Sequence, residues 1–195
     1  MRDLFVTRLY EAELRVDLNT LAHSIRSLAD DDVAGQRWAK AKNYRGYTSY
    51  ASLDDLPRRD PAFADLGRLL VKHAATFADA CAFDLSRKPR LDSLWVNLLR
   101  GSGGHSAHIH PHSIISGTLY VEVPPGSGAI RFEDPRLPMM MAAPIRRDDA
   151  PEPLRHFVTV QSTPGKLLLW ESWLRHEVLP GTGRGERLSI SFNFA

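Results

Sequence analysis

From Leu91 to Ala195 the chain breaks into short apolar runs punctuated by Gly and Pro, and this rhythm constrains the fold more than any other feature. Runs rich in β-branched and aromatic residues, bounded by turn residues, read as strands. The spacing predicts strands near 92–99, 107–111, 115–123, 128–133, 156–161, 166–171, 175–179 and 186–194. "PPGSG" is a turn between the third and fourth. "DPRLPMMMAAPIRRDDAPEP" is Pro-rich and irregular, so 135–153 is expected to be a long loop or lid. Eight short strands that follow a helical segment suggest a mainly β architecture of α+β type. The expected form is a double-stranded β-helix, the cupin-like jelly roll, with a helical buttress.

Residues 1–90 read as the mostly helical support and 91–195 as the core, in one integrated domain. "LFVTRLYEAEL" allows a short strand and a turn. "DLNTLAHSIRSLADDD" spaces Leu18, Leu21, Ile25 and Leu28 by three and four, the helical period. In "DPAFADLGRLLVKHAATFADACAF", Asp60 can cap a helix that has Pro61 at its first position. Between these helices, "NYRGYTSYASLDDLP" looks like a surface loop.

With 195 residues the chain can bury a core without staples. A net charge of +2, with no dense Lys/Arg block, argues against a dedicated nucleic-acid binder. The single cysteine, Cys81, excludes an internal disulfide framework and fits a reducing compartment. The N-terminus lacks a secretory pattern and no apolar run reaches membrane length, so the expected location is the cytoplasm and no membrane partner is expected. Edge strands of such a fold can pair with a second copy, which makes a homodimer possible.

Three of the eight histidines stand in "HIHPHSIISGTLYV" at alternating positions. On a regular strand His108, His110 and His112 share one face. A fourth, His176, lies far along the chain in "LLLWESWLRHEVLPG", where Trp170 and Trp173 bracket an apolar approach. Two imidazoles from one strand and one from a distant strand is a common way to hold non-haem iron with open positions. Eleven residues after His176 comes Arg187, with Ser189 on the same face of the closing strand. Adjacent Glu186 faces the other way, so a buried Arg187 would want an anion, and its planar fork suits a carboxylate. His112 follows Pro111 and is expected to lie behind the site or in solvent. His105, in the Gly-rich "RGSGGHSAH", is expected in a flexible, exposed loop. Asp134 in "FEDPR" fits a turn cap, and becomes a metal ligand only if its strand reaches the mouth.

At these residues the chain resembles the Fe(II)- and 2-oxoglutarate-dependent dioxygenase superfamily. It is most similar to a small bacterial group of oxygenases with "WVN", "HIHPHSIISGTLY", "FEDPR", "SWLRH" and "ERLSISFNF" elements; "GYTSY" at 46–50 resembles a weaker upstream one. The resemblance implies that His108 and His176 ligate Fe(II). It implies that Arg187, helped by Ser189, binds the distal carboxylate of 2-oxoglutarate, with Asn97 and Tyr120 as further hydrogen-bond candidates. The superfamily motif is usually His-x-Asp or His-x-Glu, and here the third residue is His110. Strand geometry places His110 beside His108, which favours a three-His site over recruitment of Asp134. The implied reaction oxidises, typically hydroxylates, a substrate C–H bond with O2, with Trp170, Trp173 and the loop 135–153 excluding water. Two rivals stand beside it: a three-His cupin-type dioxygenase that does not use 2-oxoglutarate, and a non-catalytic jelly-roll binding protein.

Overall fold

The strand rhythm resolves into two facing sheets in the computed structural model, which describes residues 1–195. In chain order the elements are β1 (Leu9–Glu13), α1 (Leu18–Asp31), α2 (Val33–Ala41), β2 (Gly46–Thr48), α3 (Pro61–Ala80), β3 (Leu91–Arg100) and β4 (His105–His108). They continue with β5 (Ile115–Glu122), β6 (Ile130–Glu133), β7 (Phe157–Val160), β8 (Lys166–Glu171), β9 (His176–Val178) and β10 (Glu186–Phe194). A six-stranded sheet has the order β1-β8-β5-β10-β3-β2 and a four-stranded sheet β4-β9-β6-β7. Every pairing between these strands is antiparallel. The chain crosses repeatedly between the sheets from β3 to β10, which makes the core a double-stranded β-helix.

β10 shows why the sequence folds this way. Its period-2 pattern sends Leu188, Ile190, Phe192 and Phe194, all fully buried, to the outer face. There they join Ile25 of α1, Phe63, Leu70 and Phe77 of α3, and Leu94, Val96 and Leu98 of β3 in one apolar core. Burying each such side chain contributes about 1.5–3 kcal/mol. The inner face of β10 carries Arg187, Ser189, Ser191 and Asn193, all lining a cavity between the sheets. Gly117 of β5 lies under this packing. A Cβ there would fall 2.4 Å from the Phe192 ring and 2.6 Å from Leu169, so only glycine fits.

The helices start where the capping residues require. The Asp60 carboxylate accepts from the Ala62 N–H, with Pro61 at the first helical position of α3. The segment predicted as a surface loop is in part structural. Gly46–Thr48 pairs with β3 as an edge strand, and Tyr47, Thr48 and Ser49 are buried. α2 is likewise absent from the sequence-based expectation. Its N-cap Asp32 accepts from the Gly35 N–H and from the hydroxyls of Tyr47 and Ser52, which ties α2 to β2. A three-residue strand and a nine-residue helix are too short to show a period in sequence. Residues 1–90 therefore add two strands to the six-stranded sheet as well as three helices. No helix is long and apolar enough to cross a membrane.

Candidate metal centre

A cavity of about 300 Å3 opens between the two sheets, and no Asp or Glu lines it. Three imidazoles converge on its wall. His108 ends β4 and His176 begins β9, and the two are register partners across the four-stranded sheet. His110 leaves the strand, but its backbone N–H donates to the Ser172 carbonyl at 3.0 Å and brings its ring back to the same point. The Ser172 hydroxyl bonds Ser116, which donates to Asn193, so this turn is fastened to the opposite sheet. Ligand atoms of His108, His110 and His176 all lie within 4.8 Å of one another. The His110 and His176 rings are parallel within 4°, with their Nε2 atoms 3.3 Å apart.

Two of the three rings have their tautomer set by the backbone. His108 Nδ1 lies 2.7 Å from the Ser106 carbonyl, and His176 Nδ1 lies 2.9 Å from the Leu174 carbonyl. A carbonyl only accepts, so each Nδ1 carries the hydrogen and each Nε2 presents a lone pair. This is the outer-sphere arrangement that orients metal-bound histidines. Burial, followed by the proximity of His108, pushes His176 down to about 3 and His110 down to about 4. Neutral rings with converging lone pairs are what a divalent ion requires, and a three-nitrogen set suits iron. The chain's own residues thus fit a metal.

In the same cavity Arg187 is 5% exposed, and its guanidinium carbon sits 4.9 Å over the Tyr120 ring. It forms no salt bridge, and its Nε and the Tyr120 hydroxyl are buried without hydrogen-bond partners. Glu186 faces away and pairs with Arg100 and Arg26. An unpaired buried cation beside unsatisfied polar groups is costly unless an anion joins it. Ser189 lines the cavity beside it. Asn97 also lines the wall, with its amide engaged: its oxygen accepts from Thr48 and its nitrogen donates to Ser191.

The remaining predicted residues lie elsewhere. The Asp134 carboxylate is outside the imidazole group; it accepts the Arg136 guanidinium through both oxygens and also the Arg136 backbone N–H. His112 departs from the shared face, because after Pro111 the chain turns and puts it at φ +70°, exposed to solvent. Trp170 is buried and meets His176 edge-on at 4.7 Å. Trp173 is half exposed and donates to Glu171. The loop 135–153 gives no residue to the cavity wall.

One histidine sits where the sequence did not put it. His105 opens β4, lines the cavity, and holds its Nε2 2.6 Å from the Tyr44 hydroxyl, with the two rings stacked at 5.6 Å. The glycines before it serve close approach rather than mobility. A Cβ on Gly103 would lie 2.7 Å from the Arg45 carbonyl oxygen, and one on Gly104 2.5 Å from that of Val178. Trp38 on the wall has no pointer in the sequence, whereas Tyr50 and Trp95 stand in the "GYTSY" and "WVN" elements, which gave them no role.

Residues 93–193 match the family described as "Putative 2OG-Fe(II) oxygenase". Among solved structures the chain is similar to a Pseudomonas putida prolyl-4-hydroxylase, with 18% identity, a TM-score of 0.64, and coverage of 96% of this chain and 92% of that one. It is similar to the epimerase SnoN in complex with Fe3+, alpha ketoglutarate and nogalamycin RO, with 15% identity, a TM-score of 0.66, and coverage of 96% and 78%. It is also similar to HygX from Streptomyces hygroscopicus with nickel and 2-oxoglutarate bound, with 13% identity, a TM-score of 0.61, and coverage of 97% and 82%. At these identities the three share the fold. No curated protein matches the sequence.

Proposed function

The chain belongs to this family of 2OG-Fe(II) oxygenases, and from that premise we propose that His108, His110 and His176 hold the iron while Arg187 and Ser189 grip the far carboxylate of 2-oxoglutarate. The enzyme is a 2-oxoglutarate- and Fe(II)-dependent oxygenase. One observation carries the residue assignment. A three-imidazole cluster and a buried, anion-free arginine face the same carboxylate-free cavity. That pairing separates this reading from a cupin dioxygenase without cosubstrate, which has no use for the arginine, and from a binding protein, which has no use for the cluster.

When bound, the iron and 2-oxoglutarate supply the oxidation of a substrate C–H bond by O2, with the cosubstrate converted to succinate and CO2. The rest belongs to the chain. The carbonyls of Ser106 and Leu174 hold two rings with Nε2 inward, so the ligands are ordered before binding. Arg187 offers the diacid a charge-assisted, bidentate partner, with the Ser189 hydroxyl beside it. Trp170 packs against His176 and Phe132 and keeps water from that side. Since no protein carboxylate joins the site, both negative charges come from the cosubstrate, and metal and cosubstrate bind with mutual support. The rim of Tyr50 and Ile109, with buried Trp95 packed edge-on to Tyr50, is where a small substrate with an apolar or planar body would rest. The unpaired thiol of Cys81 is in keeping with a reducing, cytoplasmic setting.

Anaerobic addition of 2-oxoglutarate to the Fe(II)-loaded protein tests the assignment. The expected result is the weak visible charge-transfer band, lost in Arg187→Ala at unchanged iron content. Retention of the band in Arg187→Ala would overturn the anchor, and a protein that takes up no stoichiometric metal would overturn the cage.

A further inference from the structure

His105 and Tyr44 line the same cavity as the imidazole cluster and Arg187, and the motifs account for neither. His105 lies near enough to Arg187, His108 and His110 to feel the charge of each. Its ring is 6.3 Å from that of His108. The pair therefore shares one cavity wall with both the cluster and the guanidinium. Resting on the reading of Arg187 as the anchor, we propose that the hydrogen-bonded Tyr44–His105 pair is an uncharged side grip on the bound 2-oxo diacid, with His105 Nδ1–H donating to it.

The chemistry follows from the pairing. In the tautomer this grip requires, the Tyr44 hydroxyl donates to His105 Nε2 across 2.6 Å. The hydrogen of the neutral imidazole then sits on Nδ1, which makes no hydrogen bond within the protein. A ring held in that tautomer adds a donor and no charge. A site already holding a divalent ion and a guanidinium gains orientation from a neutral donor where a further cation would be repelled. The grip is also held rigidly. The Tyr44 N–H donates to the Ala39 carbonyl, the Arg100 N–H donates to the Arg45 carbonyl, and Trp38 packs 6.2 Å from the Tyr44 ring. A loop of the N-terminal half is in this way pinned to the turn that presents His105.

Isothermal titration of 2-oxoglutarate into the Zn(II)-loaded protein, which cannot turn over, is the test. Tyr44→Phe keeps the ring and its packing and is expected to weaken binding about 3-fold, and His105→Phe about 10-fold, the range of a lost hydrogen bond. His105→Asn, which restores a side-chain N–H, should recover part of the loss. Zinc stoichiometry and melting temperature should stay near wild type in Tyr44→Phe. Wild-type affinity in both Tyr44→Phe and His105→Phe, with Arg187→Ala failing to bind, would overturn the side grip alone. Wild-type affinity in Arg187→Ala as well would overturn the anchor on which it rests. A lowered melting temperature with unchanged affinity would show the pair to be a loop fastener and overturn the grip.

Discussion

In the six-stranded sheet β3, β5 and β10 run for 10, 8 and 9 residues, with β10 paired on both sides and its outer face packed on α1 and α3. The four-stranded sheet is built from strands of three or four residues. Yet the shorter sheet carries His108 and His176, while the longer one carries Arg187, Ser189 and Tyr120. The stiff sheet provides its groups through burial in the main core. The thin sheet relies on local hydrogen bonds, the Nδ1–carbonyl contacts and the His110 N–H to Ser172, to fix its rings. Placing the proposed Arg187 grip and the proposed ligand cage are thus separate structural problems with separate solutions, and damage to one should spare the other.

The largest effect is expected where that division is forced from the core side. Phe192→Ala removes a fully buried ring behind β10 and should cost about 3–5 kcal/mol, read as a fall in the urea midpoint. The division predicts that whatever remains folded still binds metal. Next comes His176→Ala. Metal affinity, measured by competition with a chelator, should drop by more than about 100-fold, whereas the metal-free stability shifts by about 1 kcal/mol. A fall as large as that of Phe192→Ala would mean that the cage also holds the thin sheet together, and would break the comparison. The smallest effect is expected for Asp134→Asn. Its carboxylate serves Arg136, so metal affinity should be unchanged and stability lower by about 1 kcal/mol. Any loss of metal there would restore Asp134 to the ligand set.

Legibility in the sequence followed the range of the interactions. The strands from β3 to β10 could be read because a period of two and Gly/Pro punctuation are local signals, and Arg187 could be read because alternation sets it against Glu186. His108, His110 and His176 depended on motif context as well as period, and His112 shows the limit of period alone: one turn after Pro111 removes it from the face. The Tyr44–His105 contact joins residues 61 positions apart and leaves no local pattern. The "GSGG" stretch read as mobile because the carbonyls of Arg45 and Val178 that demand small residues there lie outside any sequence window. β2 and α2 were lost for want of length.

The nine residues of β10 are in effect two interleaved messages, one addressed to the helices and the other to the cavity. A one-residue slip in the register of β10 would garble both at once, setting a guanidinium among phenyl rings and greasy side chains in the chamber. Under the proposed assignment, descendants of this chain are free to vary the rim, while Arg187 stays locked to the same phase that keeps them folded.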